Sequence, residues 1–190
     1  MCGIAGLYYP GTPKPVDPAR VRVMADAMAH RGPDGAGVWT APGVGLGHRR
    51  LSIIDVEGSP QPMASADGAL AIVFNGEIYN YRELRRELAA RGWAFRSDGD
   101  TEVLLAGWAA WGPALLDRLV GMFAFAIHDA RANTLFLARD RLGVKPLYHV
   151  ELADGALAFA SELKGLLAHP LLRRGPDVRA VEDYLAFGYV

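Results

Sequence analysis

The chain carries one cysteine, at position 2, in the opening Met1-Cys2-Gly3-Ile4. Removal of Met1 would leave a thiol and a free α-amino group on the same residue, a nucleophile with its own base. An α-amine with a pKa of about 7.7–8.0 is neutral in a useful fraction of molecules at pH 7 and can accept a proton. A thiol with a pKa of about 8.5 is a good nucleophile once that proton has gone. The competing reading is structural, since Cys is also a small residue suited to the start of a buried strand. Position alone leaves both readings open.

Other chemistry-bearing residues fail the common templates. No G-x-x-x-x-G-K-[ST] string occurs, so there is no phosphate-cradling loop of that type. Gly43-Val-Gly45-Leu-Gly47 misses the dinucleotide-binding spacing and reads as close strand packing. Asp98-Gly-Asp100-Thr-Glu102 begins like a calcium loop, but Val103 and Ala109 stand where glycine and glutamate are required. His30, His48, His128, His149 and His169 are scattered without metal-ligand spacing, and no G-x-S-x-G elbow is present. A single cysteine excludes an intrachain disulfide and a Cys-rich metal site. Taken alone, Asn75-Gly76 after an apolar run reads as a hairpin turn, Arg50 as a solvated charge and Asp100 as a helix cap.

The elements that would hold such residues are mostly short strands with helices between them. Ile4 to Tyr9 reads as a strand ending at Pro10. Asp17-Pro18 supplies a cap and a first-turn proline, and Val21, Met24, Ala25 and Met28 form an amphipathic stripe stopped by Gly32-Pro33. Strands are predicted at Gly37 to Thr40, Val44 to His48, Ser52 to Asp55 and Ala69 to Phe74. A helix follows from Asn80, with Glu83 completing a capping box, Tyr81, Leu84 and Leu88 as its stripe and Gly92 at its end. Asp100 or Thr101 caps a third helix running to about Trp111. Met122 to Ile127 pairs with Thr134 to Ala138 in one hairpin, and Tyr148 to Glu151 with Leu157 to Ser161 in another, turning at Asp154-Gly155. Val178 to Tyr189 is helical in pattern and follows the breaker Gly175-Pro176. The pattern predicts an α+β fold with antiparallel sheets.

A length of 190 residues fits one domain, and 51% hydrophobic with 22% charged residues matches a folded globular chain. A net charge of −1 argues against nucleic acid or a membrane surface recruited by bulk charge. The longest apolar runs are six residues, against the roughly 20 that a bilayer span needs. The N-terminus lacks the basic and apolar regions of a secretory signal, so the cytoplasm is the expected compartment. The domain is expected over residues 1–175. Residues 176–190 are expected to form a C-terminal helix that starts a linker, the chain being cut from something longer.

Seven segments occur in order. They are Met1-Cys2-Gly3-Ile4, His30-Arg-Gly-Pro-Asp34, His48-Arg-Arg-Leu-Ser-Ile-Ile-Asp55, Asn75-Gly-Glu-Ile-Tyr-Asn80, Ser97-Asp-Gly-Asp-Thr-Glu102, Arg139-Asp-Arg-Leu-Gly-Val-Lys-Pro-Leu-Tyr148 and Ser161-Glu-Leu-Lys164. The set closely resembles the glutaminase domain of glutamine-hydrolysing asparagine synthetases, which are class II glutamine amidotransferases, over essentially the whole chain. The fold this resemblance implies is the N-terminal-nucleophile hydrolase type, a four-layer αββα sandwich of two antiparallel sheets.

The resemblance also implies roles. Cys2 would be the nucleophile and its own amine the base, with the side-chain amide of glutamine as substrate. The Asn75 side-chain N–H and the Gly76 backbone N–H match the oxyanion hole, where two donors converge on one oxygen. Arg50 matches the partner of the α-carboxylate, within a binding segment of Arg50, Leu51, Ser52, Ile53 and Ile54. Glu77 and Asp100 match positions that receive the α-ammonium. Arg31 and Asp34 would support the pocket. No metal and no cofactor are expected in this chain. ATP and Mg belong to a C-terminal synthetase domain, whose Ser-Gly-Gly-x-Asp-Ser loop does not occur here. The expected partners are glutamine, that synthetase domain and a second copy in a homodimer. Relatives that keep the first domain and use another acceptor leave the acceptor open. A glutamine-sensing module without turnover, or a purely structural domain, are the competing readings.

Overall fold

The computed structural model describes residues 1–51 and 59–190. The first strand, β1 (Gly3–Tyr8), is buried along its whole length, and its alternate residues enter two different cores. Ile4 and Tyr8 pack between two sheets, whereas Ala5 and Leu7 pack under α1 (Pro18–Asp26). Side chains on a strand alternate between faces, so a strand buried on both must be covered twice.

β1 sits at the centre of a five-stranded sheet in the order β2 (Gly35–Ala41), β3 (Val44–Arg50), β1, β9 (Leu157–Ala160) and β8 (Tyr148–Glu151). The second sheet has the order β4 (Met63–Ala64), β5 (Leu70–Ile78), β6 (Gly121–Asp129) and β7 (Thr134–Arg139). All pairings in both sheets are antiparallel. Ala71, Val73, Ala124 and Ala126 of the second sheet meet Ile4, Leu46 and Phe159 of the first. Small residues on one face let the sheets approach closely. At Gly6 a Cβ would lie 2.4 Å from the Phe159 ring, so glycine makes room for that side chain.

The outer faces carry the helices. α1 and α4 (Leu163–Leu167) cover the first sheet. α2 (Tyr81–Ala90) and α3 (Asp100–Trp111) cover the second through Leu84, Leu88, Val103 and Leu104, against Leu70, Ile72 and Phe125. Each such side chain contributes about 1.5–3 kcal/mol when fully buried. The result is the expected αββα sandwich. α5 (Val178–Phe187) has no buried residue, and Asp177 caps it by accepting from the N–H groups of Arg179 and Ala180. Among the described residues no helix is long and apolar enough to cross a membrane.

Four local expectations need correction. Asn75-Gly76 is not a hairpin turn, because β5 runs through it to Ile78, with Asn75 opposite Ala124 and Gly76 opposite Phe123. Nine residues of pairing with β6 override the local turn preference. Asn80 does not cap α2 through its side chain. It instead donates to Arg118 O at 2.9 Å and accepts from Val120 N at 3.0 Å, tying the helix start to the approach to β6. Asp100 is the first residue of α3, not its cap, which is Gly99. The first helix ends at Asp26 instead of reaching Gly32-Pro33, and Ala29–Arg31 tighten into a 3-10 turn. The predicted strand Ser52 to Asp55 lies outside the described residues.

Candidate active site

Cys2 precedes β1, and strand alternation puts it on the same face as Ile4 and Tyr8, between the sheets. Arg50 ends β3 on the face of Val44, Leu46 and His48. Asn75 shares the inner face of β5 with Ala71 and Val73. Three residues far apart in the chain are thus brought to one end of the sandwich by strand parity. They line a cavity of about 80 Å³ together with Leu51, Gly76, Glu77 and Asp100. Of the nine further positions expected around Cys2, six therefore meet there, and Ser52, Ile53 and Ile54 lie outside the described residues.

The Cys2 thiol is held from one side by the backbone of Leu51. Its Sγ accepts from Leu51 N at 3.4 Å and lies 3.6 Å from Leu51 O. Met1 lines the same cavity. Asn75, a residue only 1% exposed, lines it too. Its Nδ2 is buried and has no hydrogen-bond partner among the described residues. A buried N–H of this kind is costly unless a ligand uses it.

A second donor follows from the edge of β5. The N–H groups of Leu70, Phe74 and Ile78 leave the strand on the side away from β6. They are taken by Ser65 Oγ at 2.9 Å, Gln61 Oε1 at 2.7 Å and Asp100 Oδ2 at 3.0 Å. The same alternation sends the Gly76 N–H out of this edge, between Gln61 and Asp100, at the cavity wall. Glycine is also required here by its neighbour strand, since a Cβ would lie 2.3 Å from Met122 O.

The floor is electrostatically mixed. Asp100 is 6% exposed, and burial pushes its carboxyl up to about 6, helped by the charge of Glu77 and opposed by the N–H of Ile78. His48 is fully buried, and burial lowers its imidazole to about 4. Neutral His48 therefore donates Nε2–H to Phe74 O at 3.1 Å, bridging the two sheets beside Asn75. Asp140 anchors the loop below. Burial alone would raise its carboxyl, but the N–H groups of Lys145, Val144 and Phe123 hold it below the usual range. With Arg139 binding the carbonyls of Gly143 and Lys145, this loop sets Lys145, 6% exposed, against the cavity.

No site role was read from the sequence for Ser59, Gln61, Phe74, Thr101, Met122 or Lys145, which also line the cavity. Lys145 belonged to a quoted motif. For Gln61 the available signal was a polar residue between two prolines, in a stretch with no strand or helix period. Among the described residues no group of three or more His, Cys, Asp or Glu side chains could hold a metal ion.

The model of the glutamine amidotransferase domain matches residues 1–190. The chain belongs to that family. The amidotransferase domain is 40% identical over 190 residues to asparagine synthetase [glutamine-hydrolyzing] 3 of Bacillus subtilis, covering 99% of this chain and 31% of that protein. It is 36% identical to asparagine synthetase B [glutamine-hydrolyzing] of Escherichia coli, over 100% of this chain and 33% of that one. The chain thus spans about a third of the length of these curated relatives. Among solved structures, glutamine phosphoribosylpyrophosphate amidotransferase from B. subtilis superposes on 88% of this chain and 43% of its own with a TM-score of 0.71. At 24% identity that match speaks to the fold, and it agrees with the αββα amidotransferase sandwich.

Proposed function

We propose that this domain hydrolyses glutamine to glutamate and ammonia through a thioester on Cys2. The observation that carries the reading is the buried Asn75 Nδ2, without a partner among the described residues, on a residue that lines the same cavity as Cys2. Loss of Met1 exposes the Cys2 amine. The amine takes the thiol proton and Sγ attacks the amide carbon, placing negative charge on the former carbonyl oxygen. Asn75 Nδ2–H and Gly76 N–H stabilise that oxygen. Collapse expels ammonia, which leaves with the proton held by the amine. Water, deprotonated by the same amine, then cleaves the thioester to glutamate and the free thiol. Arg50 pairs with the α-carboxylate of glutamine, and Glu77 and Asp100 receive its α-ammonium.

The chain needs no cofactor for this chemistry. In a longer parent, residues 1–175 form the glutaminase and residues 176–190 begin the connection to an ATP- and Mg-dependent synthetase domain. That domain takes the ammonia to an activated acceptor, aspartate on the reading that follows the names of the relatives.

The test uses the purified 190-residue chain with Met1 removed, confirmed by mass. Glutamate and ammonia should form without ATP, metal or aspartate. Cys2→Ala should abolish turnover while glutamine still binds. A glutamine analogue bearing an electrophilic ketone should label the wild type once, at Cys2. Turnover in Cys2→Ala at the wild-type rate, or strict dependence on ATP, overturns the assignment.

A further inference from the structure

The segment Ser161-Glu-Leu-Lys164 has no part in the site described above, yet its first two residues grip the start of the chain. Ser161 is fully buried and holds Ile4 twice, through Oγ to Ile4 N at 3.0 Å and through its own N–H to Ile4 O at 2.9 Å. Glu162 lies outside the cavity of Cys2. Its Oε1 accepts from Arg31 NH1 at 2.8 Å, and Arg31 Nε donates to Cys2 O at 2.9 Å. Arg31 is nearly buried, with 8% of its side chain exposed. His30 Nε2 and Lys164 Nζ each stand 3.1 Å from the same carboxylate. Burial would raise the Glu162 carboxyl, but Arg31, His30 and Lys164 together hold it well below the usual carboxylate range.

An N-terminal nucleophile has a mechanical problem. Once Met1 is gone, no preceding peptide restrains the amine, and its direction depends on how the rest of the residue is pinned. Leu51 holds Sγ from one side and Arg31 holds the carbonyl from the other. Those two anchors together leave the amine one direction relative to the thiol. An arginine with five donors and many rotamers does this only if its far end is tied down.

We propose that Glu162 is a positioning residue for Cys2, acting through Arg31 to set the amine of the nucleophile against its own thiol. This rests on the glutaminase reading. A displacement of about 1 Å in such an arrangement can cost around 10²-fold in rate, so the effect belongs in kcat.

The experiment compares wild type, Glu162→Ala, Glu162→Gln, Arg31→Ala and the Glu162→Ala/Arg31→Ala double variant, all in the 190-residue chain with Met1 removed. Glu162→Ala should lower kcat by about tenfold or more with KM within about twofold. Glu162→Gln keeps an oxygen that accepts from Arg31 and should lose less. In the Arg31→Ala background, Glu162→Ala should cost less than about twofold, because the route to Cys2 through Arg31 is already cut. Alkylation of Cys2 by iodoacetamide at about pH 7.5 should slow in Glu162→Ala and Arg31→Ala, reporting thiol activation without turnover. Full wild-type kcat in Glu162→Ala, or losses that multiply in the double variant, overturns the proposal. Should wild type fail to hydrolyse glutamine while the alkylation pattern holds, the glutaminase reading falls and the positioning role stands. A flat alkylation pattern overturns the positioning role.

Discussion

Gln61 stands in for a strand neighbour of Phe74, its Oε1 accepting the Phe74 N–H at 2.7 Å while its Nε2 donates to Thr101 Oγ1 at 3.3 Å. β4 pairs with β5 only at Met63–Ile72 and Ala64–Ala71. Beyond Ile72 the edge of β5 would be open. Gln61 and Asp100 close it at Phe74 and Ile78, leaving the position between them, Gly76, as the donor facing the cavity. The oxyanion hole proposed above would thus be a one-residue gap in an otherwise capped edge.

Replacing Gln61 by Leu should expose that design. The Phe74 N–H would be buried without a partner, at a cost of about 1–3 kcal/mol. Denaturant unfolding should show the loss, and glutamine turnover should fall mainly in kcat. Unchanged stability and kcat together would remove Gln61 from the account of the site.

Asn75 and Arg50 should separate kinetically. Loss of one oxyanion donor costs about 2.7–4 kcal/mol in the transition state. Asn75→Ala should therefore lower kcat by roughly 10² to 10³ with little change in glutamine affinity. Arg50→Ala should act mainly through KM, since the α-carboxylate is held in ground and transition states alike. If both variants change KM alone, Asn75 is not an oxyanion donor.

Gly76→Ala should be more than a kinetic variant. The new Cβ would meet Met122 O at 2.3 Å and Phe123 Cα at 2.8 Å, both backbone atoms that cannot swing away. β5 and β6 would have to part at the site. Overpacking of this kind costs about 1–3 kcal/mol, so both melting temperature and turnover should fall. A fully stable Gly76→Ala would show that the strands have room to spare.

Asp100 sets a pH dependence with a definite sign. Burial raises its carboxyl to about 6, so protonation below that pH removes the partner proposed for the substrate ammonium. KM for glutamine should rise as pH falls below 6, by up to about tenfold per unit, and should be flat across that range in Asp100→Asn.

Stability should move the other way. An acid raised above its ordinary value of 3.8 destabilises the fold when charged, a cost absent below about 3.8, growing through 6 and constant above. Asp100→Asn should therefore be more stable than wild type at pH 7, by up to about 3 kcal/mol. The gain should vanish near pH 4, and urea unfolding at both pH values checks it.

Much of this protein is legible along the chain because it is local. The apolar period marked the helices that became α1 and α2, a capping signal marked α3, and turn residues marked the hairpins β6–β7 and β8–β9. The amine and thiol of Cys2 are covalent neighbours, so their joint chemistry needs no fold to be seen. The resemblance carried by the ordered segments implied the αββα sandwich, and the Arg50, Asn75, Gly76, Glu77 and Asp100 it singled out line one cavity.

Tertiary structure decided what local preference got wrong or could not express. Asn75-Gly76 prefers a turn, but pairing with β6 along all of β5 outweighs two residues of turn propensity. Asp100 has the chemistry of a cap, yet the open edge of β5 supplies Ile78 N–H in a buried place where an unmet N–H is costlier than an uncapped helix. Gln61 and Glu162 carry no periodic signal at all. Their partners lie 13 residues away at Phe74 and 131 away at Arg31. Such contacts exist only after two sheets have stacked, because it is the stacking that buries the backbone groups and the guanidinium these side chains must satisfy.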